Sequence, residues 1–242
     1  MKLKFSASAA LAAMLLILAS CFPSRANAQV GQIAQAQGSV ELARTGLTRA
    51  IGLGTALYLN DEVIDGPAAS STINLNGGSS LELGESTTLK IDQHIMPANQ
   101  GHFTSRLTLA LGTVRSVVPA LSGGGTEFEV HTPNAVTSVR GTVFRVTFSA
   151  GQARFGYPGC STFTDVDVEL GVVAVANRIN PSLVVNVPEG YSATVACDRA
   201  PEGPSPLGIG RSTSGGVSGP GAVAPPPPPA AVPVVVPPPN PG

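Results

Sequence analysis

Three histidines, three cysteines and one run of alternating acids are the residues of this 242-residue chain whose chemistry could reach beyond packing. A Ser-His-Asp arrangement would have to use His94, His102 or His131, and no G-x-S-x-G elbow accompanies any of them. His94 and His102 could ligate a metal together with Asp92. The intervening Pro97-Ala98-Asn99-Gln100-Gly101 reads as a plain loop, however, and no ligand pair has catalytic spacing, so both are read as solvated loop histidines. Asp165, Asp167 and Glu169 stand at i, i+2 and i+4, which places three carboxylates on one face of a strand. Calcium needs about six to eight oxygens and no loop here is built to supply them, so the three are read as a solvated outer face. Gly123-Gly124-Gly125 lacks the Lys and Ser/Thr of a phosphate loop and reads as a strand connection. The expectation is a protein with no catalytic residues, no metal and no cofactor. A cryptic enzyme site would have to show itself as a polar cluster in a concave pocket.

The cysteines speak of export. Lys2 and Lys4 precede an apolar run from Ala9 to Ala19, too short to span a bilayer and suited to the core of a secretory leader. Two processing sites compete. Leu18-Ala19-Ser20-Cys21 resembles a lipobox, which would make residues 1–20 the signal peptide and Cys21 a lipidated residue anchoring the chain to a membrane. Ala26-Asn27-Ala28 fits ordinary cleavage after residue 28. The first is preferred for its tighter spacing behind the apolar core. Cys160 and Cys197 remain, an even number in an exported chain, and are read as a disulfide worth about 4 kcal/mol in the chain-entropy description. The other reading is two buried thiols.

Strands must position all of these residues. Phe128 and Val130 alternate with polar neighbours before the Thr132-Pro133 break, and Phe144, Val146 and Phe148 do so after Gly141. Glycine inside such a pattern points to a bulge, a tight bend or a close backbone approach. Arg140 beside it either caps neighbouring strand carbonyls or contacts a partner directly. Upstream, Leu53 to Leu59 reads as a strand ending in the Asn60-Asp61 turn, and Asn76-Gly77-Gly78 is a hairpin signal. Leu81-Glu82-Leu83-Gly84, Leu109-Ala110-Leu111-Gly112 and Val168-Glu169-Leu170-Gly171 share one phrase, read as hairpins whose two inward apolar residues end at a glycine turn.

Composition agrees: 28 Gly, 22 Pro, no Trp and 43% hydrophobic residues favour short strands over long helices. With 14 basic against 15 acidic residues the chain lacks the concentrated positive footprint of a nucleic-acid binder. The expected fold is all-β, a single sandwich or jelly-roll-like domain of short antiparallel strands over residues 30–198. Residues 199–242, rich in proline and glycine and without an aromatic residue, are expected to form a disordered tail.

With these residues set out, the chain resembles the FecR domain family of bacterial periplasmic proteins. Thr132-Pro133-Asn134-Ala135-Val136 followed by Val139-Arg140-Gly141-Thr142-Val143-Phe144 looks like that family's TP-x-A and V-R-G-T-x-F signature. Asn60-Asp61 stands where the family commonly has Gly-Asp, Gly77-Gly78-Ser79 lies near its D-G-S turn, and Leu111-Gly112-Thr113-Val114-Arg115 near its L-x-G-x-V-R strand. Val168 to Val175 and Val187 to Gly190 fit its closing turns, so the resemblance covers about Gln32 to Val195. It implies an extracytoplasmic β module for contacts with envelope proteins. Thr132, Pro133, Arg140, Gly141 and Thr142 are then structural or partner-binding.

Founding members of that family carry a cytoplasmic anti-sigma segment and a membrane helix ahead of the module. Only a short leader precedes the β region here, so no sigma factor is expected as a partner. The expected function is a non-catalytic exported module that senses or scaffolds through protein–protein contacts, in the periplasm or as a lipoprotein facing the periplasm or cell surface. The alternative is an envelope or surface structural protein that binds cell-wall or extracellular polysaccharide. Its weak point is the scarcity of aromatic residues on which sugars stack.

Overall fold

The computed structural model describes residues 28–96, 103–120 and 126–207. They form β1 (Gln29–Gln37), β2 (Val40–Arg44), β3 (Leu47–Ala50), β4 (Ala56–Tyr58), β5 (Glu62–Asp65), β6 (Ser70–Leu75), β7 (Ser80–Leu83), β8 (Thr87–Ile95) and β9 (Thr104–Val117). There follow β10 (Glu127–His131), β11 (Ala135–Val139), β12 (Val143–Ala150), β13 (Thr162–Leu170), β14 (Val172–Asn177), β15 (Val184–Pro188), β16 (Tyr191–Ala196) and β17 (Glu202–Pro206). No helix occurs among the described residues, and the fold is all-β.

All 17 strands belong to one hydrogen-bonded sheet folded into two layers. Layer one runs β4-β1-β6-β7-β9-β12-β13-β16-β17. Layer two runs β3-β2-β5-β8-β9-β10-β11-β14-β15. The strands pair antiparallel except β10 with β9, which run parallel. Strands such as β6, β10 and β12 alternate buried and open positions, the edge strands β3 and β17 are exposed throughout, and the buried faces of both layers merge into one core. Phe128 of β10 meets Phe144 of β12 edge to face across the layers, with ring centroids 6.3 Å apart. Fully burying a side chain of this size contributes about 1.5–3 kcal/mol.

β9 is the seam. Its first part pairs with β8 and β10 in layer two, and its second part with β7 and β12 in layer one. Among the described residues, strands before β9 pair only with one another and with β9, and so do the strands after it. The burial phase slips where the strand changes layer: Ser105, Leu107 and Leu109 are buried, then Val114 and Ser116. Gly112 sits at the slip with φ +91, and a Cβ there would lie 2.6 Å from Thr87 Cα and 2.8 Å from the Ser86 carbonyl oxygen. The expected glycine turn at this position is therefore a mid-strand crossing. Leu111 and Leu170, both expected inside, are 41% and 54% exposed, because β9 changes layer next to Leu111 and a bulge at Glu169 shifts the phase of β13 before Leu170.

Other boundaries move as well. Of Leu53 to Leu59 only Ala56–Tyr58 is a strand, and Leu53 is exposed. β17 lies past residue 198, paired with β16 through Tyr191↔Pro206 and Thr194↔Glu202. Proline confines such a segment to the edge of a sheet, and its composition hides it from a period-two search. The proline-rich tail from residue 208 onward lies outside the described residues.

Candidate functional site

The outer face of layer one carries a transverse row of polar side chains in direct register. Gln35, Thr72, Glu82, Arg115, Arg145, Asp167, Ser192 and Ser205 are successive cross-strand partners on β1, β6, β7, β9, β12, β13, β16 and β17. None of them is buried, because each stands at the outward phase of its strand. Arg115 is the hub. Its Nε and Nη2 donate to Glu169 at 3.0 and 2.8 Å, and its Nη1 donates to Glu82 at 3.0 Å. Hydrogen bonds from Arg115 hold the Glu169 carboxyl below the usual range, and hydrogen bonds to Glu169 hold the guanidinium of Arg115 above its own. Arg145 approaches Glu169 at 3.6 Å and remains nearly half exposed. A groove of about 490 Å³ runs along this face, lined among others by Gln37, Ser70, Glu82, Arg115 and Arg145, with no aromatic ring.

The signature residues do different work. Thr132, Pro133 and Asn134 form the turn between β10 and β11, with Pro133 exposed at its tip. Thr132 Oγ1 accepts the Ala135 N–H at 3.0 Å and lies 2.7 Å from Thr164 Oγ1 of β13. Asn134 is buried, donates from Nδ2 to the Val195 carbonyl at 3.0 Å, and accepts the Thr164 hydroxyl. This turn of layer two is thereby fastened to two strands of layer one. Further along, the segment 140–142 carries the chain from layer two to layer one. Gly141 has φ +71, and a Cβ there would lie 2.7 Å from Ala120 Cα. Thr142 is buried beside Gly171, and its carbonyl accepts the Val118 N–H at 2.9 Å. A third fixed corner is Asn60-Asp61. Asn60 takes φ +67, the conformation a glycine adopts without strain, and buried Asp61 receives two 2.6 Å bonds from Arg44 and the Tyr58 N–H at 2.8 Å.

The corner at Asp61, the crossing at Gly112 and the corner at Gly141 all fall inside one stretch that matches a known family. Residues 61–174 match the family model described as FecR protein. The chain carries a FecR-like domain. The match runs from the start of β5 into β14 and is centred on β9, while β1–β4 and β15–β17 extend the same two layers beyond it. Two crystal structures of a candidate anti-sigma factor from Parabacteroides distasonis ATCC 8503, at 1.65 and 2.50 Å resolution, align at 16% identity and a TM-score of 0.41. The alignment covers 57% of this chain and 56% of that one, so the chain spans little more than half the length of the protein it matches. No curated protein sequence matches the chain.

Within the FecR-like domain, several expected site residues lie elsewhere than the sequence suggests. Arg140 is exposed and donates no hydrogen bond among the described residues, so the expected capping of strand carbonyls is absent. Gly141, beside it, makes the corner. His94 is no loop residue: it sits in β8, 8% exposed, with Nδ1 2.8 Å from Ser105 Oγ across the β8–β9 ladder. Burial holds its pKa below the ordinary value. His131 pairs with Glu129 at 2.8 Å, and His102 lies outside the described residues. No group of three or more His, Cys, Asp or Glu side chains among the described residues is placed to hold a metal ion.

The acidic run is not uniformly solvated. Glu169 and Asp167 face outward, whereas Asp165 is 3% exposed beneath Arg154, which donates to it at 3.0 and 2.7 Å. Cys160 and Cys197 are joined by a disulfide with Cα atoms 5.8 Å apart. Cys21 and both expected cleavage sites lie outside the described residues or at their edge, since residues 1–27 are not among them.

Three residues with distinct roles escape a sequence reading. Arg115 and Arg145 become neighbours only through strand register, although each stands at an outward position of its own strand. Asp65 points into the core, accepts the Ser71 hydroxyl at 2.9 Å and leaves its second oxygen without a partner. Burial pushes its pKa up to about 6. The polar residue at an inward position of β5 is its only sequence signal.

Proposed function

We propose that this chain is an exported, non-catalytic FecR-like module that makes protein–protein contacts in the bacterial cell envelope and senses or scaffolds through them. The row from Gln35 to Ser205 carries this reading. It is a broad face with a basic centre, Arg115 and Arg145, flanked by Glu82 and Asp167 and by abundant hydrogen-bonding groups, and charge complementarity of this kind selects partners and orients encounter. The signature residues Thr132, Asn134, Gly141 and Thr142 are occupied in joining the layers, which leaves partner contact to the face they support. Under this reading the leader directs export, and Cys21 carries the acyl chains that hold the module at a membrane. Sigma-factor binding is outside the proposal.

The polysaccharide reading is weaker on the same observation. A glycan site gains much of its affinity from rings stacked on aromatic faces, and the groove is lined by polar side chains with Leu83 and Gly84 and by no aromatic residue.

Arg145→Gln is the test, because that side chain is nearly half exposed and its loss leaves Arg115 with both of its carboxylates. Crosslinking in living cells should join the native chain to an envelope protein, and the variant, with an unchanged melting temperature, should lose that adduct. Undiminished capture by the variant would move the contact surface elsewhere. Retention of the native chain by glycan fractions alone would replace the proposal with the polysaccharide reading.

A further inference from the structure

The loop joining β12 to β13 folds back over the outer face of layer one and builds a second small core there. Phe163 and Ala196 are cross-strand partners on the outward side of β13 and β16, and they pack with Cys160, Tyr157 and Cys197 as a cluster separate from the main core. The turn Arg154-Phe155-Gly156-Tyr157, closed by the Tyr157 N–H on the Arg154 carbonyl at 3.2 Å, grips Phe163 from both ends. The Arg154 guanidinium lies 4.3 Å from the Phe163 ring centroid, and Tyr157 meets the same ring edge to face at 5.3 Å. Arg154 also donates to Ser149 Oγ and twice to Asp165, and the Tyr157 hydroxyl donates to Glu202 at 2.6 Å.

Between Arg154 and Cys160 the backbone hydrogen bonds are internal turns, so side chains and the disulfide alone fasten this loop to the sheet. Asp165, Phe163 and Ala196 face away from the main core, whereas Thr164, Val166 and Val195 on the same strands face into it.

We propose that residues 151–161 form a cap that the Cys160–Cys197 disulfide holds shut, so that a dithiol reductant opens it and uncovers Asp165 and Phe163 while the sandwich beneath stays folded. This goes beyond the protein-contact reading and does not depend on it. A thiolate of the dithiol attacks Cys197 Sγ, in the more accessible residue of the pair, and Cys160 departs as a thiolate that takes up a proton. The second thiol of the reductant then displaces Cys197, which is protonated in turn. The reductant leaves as a disulfide, and two electrons have passed to the protein as two thiols. The cap thereby loses its covalent tether, and what remains is ion pairs and ring contacts against a loop regaining its conformational freedom. Asp165 keeps its bond from Thr194 Oγ1 at 2.7 Å, but Arg154 is free to leave.

Arg154 is the cap's one basic residue, and it cannot enter the specificity pocket of trypsin while it is bound to Asp165. Cleavage after Arg154 therefore reports opening, as proteolysis tracks the open population when reclosing is fast. Limited trypsin digestion of the full chain with and without dithiothreitol tests the proposal, beside the Cys160→Ser/Cys197→Ser double variant without reductant. Hydrogen exchange at Val146 and Val166 serves as witness to the sandwich. The expected result is cleavage after Arg154 about tenfold faster or more in the reduced chain and in the double variant, with protection at Val146 and Val166 retained. An unchanged rate overturns the proposal. Faster cleavage accompanied by lost protection at Val146 and Val166 also overturns it, since the disulfide would then be a staple of the whole fold.

Discussion

Arg115 and Arg145 stand directly opposite each other on neighbouring antiparallel strands, and Glu169 contacts both guanidinium groups. Like charges in that position repel unless a counter-charge lies between them. Glu169→Ala removes it and is expected to destabilise the domain by about 1 kcal/mol, since the group is partly exposed and solvent screens it. The melting temperature should fall by about 2–4 °C in dilute buffer. The deficit should shrink in about 0.5 M salt. A deficit that persists undiminished at high salt would assign the loss to packing instead of charge.

Asp65 makes stability depend on pH in a direction opposite to that of most surface carboxylates. Its folded pKa of about 6 exceeds the ordinary 3.8, so the folded state holds the proton more tightly than the unfolded one. The contribution to stability is full below 3.8 and is lost as pH rises to about 6. Asp65→Asn, which cannot ionise, is expected to raise the melting temperature at pH 7 and to flatten this part of the curve. Denaturant melts of both proteins at pH 4, 5, 6 and 7 check it, and parallel curves would contradict it.

The buried amide of Asn134 joins the β10–β11 turn to the carbonyl of Val195 and the hydroxyl of Thr164. Asn134→Ala leaves those groups without their partner in a site closed to water. The expected cost is about 2–3 kcal/mol, visible as a lower denaturant midpoint with an unchanged slope. Exposed Pro133, one residue away, should tolerate alanine with less than about 1 kcal/mol of loss.

Gly112 is the position where the smallest side chain should do the most damage. Its Cβ would meet the Thr87 backbone, and φ +91 is strained for any L residue. Gly112→Ala is expected to cost at least about 2 kcal/mol. Gly151→Ala, at φ +80 with open space around it, should cost about 1 kcal/mol. Thermal melts of the two variants separate close approach from conformational strain.

Much of the architecture is written in local pattern. Phe128, Val130, Phe144, Val146 and Phe148 all point inward as their period-two spacing predicts, and the Asn76-Gly77-Gly78 turn joins β6 to β7. What stays hidden depends on which strands become neighbours. His94 looks solvated until register sets it against Ser105. Asp165 looks solvated until the loop between β12 and β13, tied at Cys160 to Cys197, lays Arg154 over it. Leu109-Ala110-Leu111-Gly112 looks like the end of a hairpin because a change of layer within one strand uses the same residues as a turn. The Arg115–Arg145 couple is invisible for the same reason, since β9 and β12 are distant in sequence and meet only in the folded sheet.

The position of β9 also sets an order of assembly. Every ladder before it closes within residues 29–117, and every ladder after it closes within residues 104–206. A chain emerging from its N-terminus can therefore complete one half-sandwich, with β9 as its last strand, before the second half exists. Until β10 and β12 arrive, β9 presents an unpaired edge beside the half-open core, with Leu107, Leu109 and Val114 next to water. An unpaired edge of that kind is a general template for pairing with another chain. Release from that waiting state depends on long-range pairing, which for such topologies takes about milliseconds to seconds.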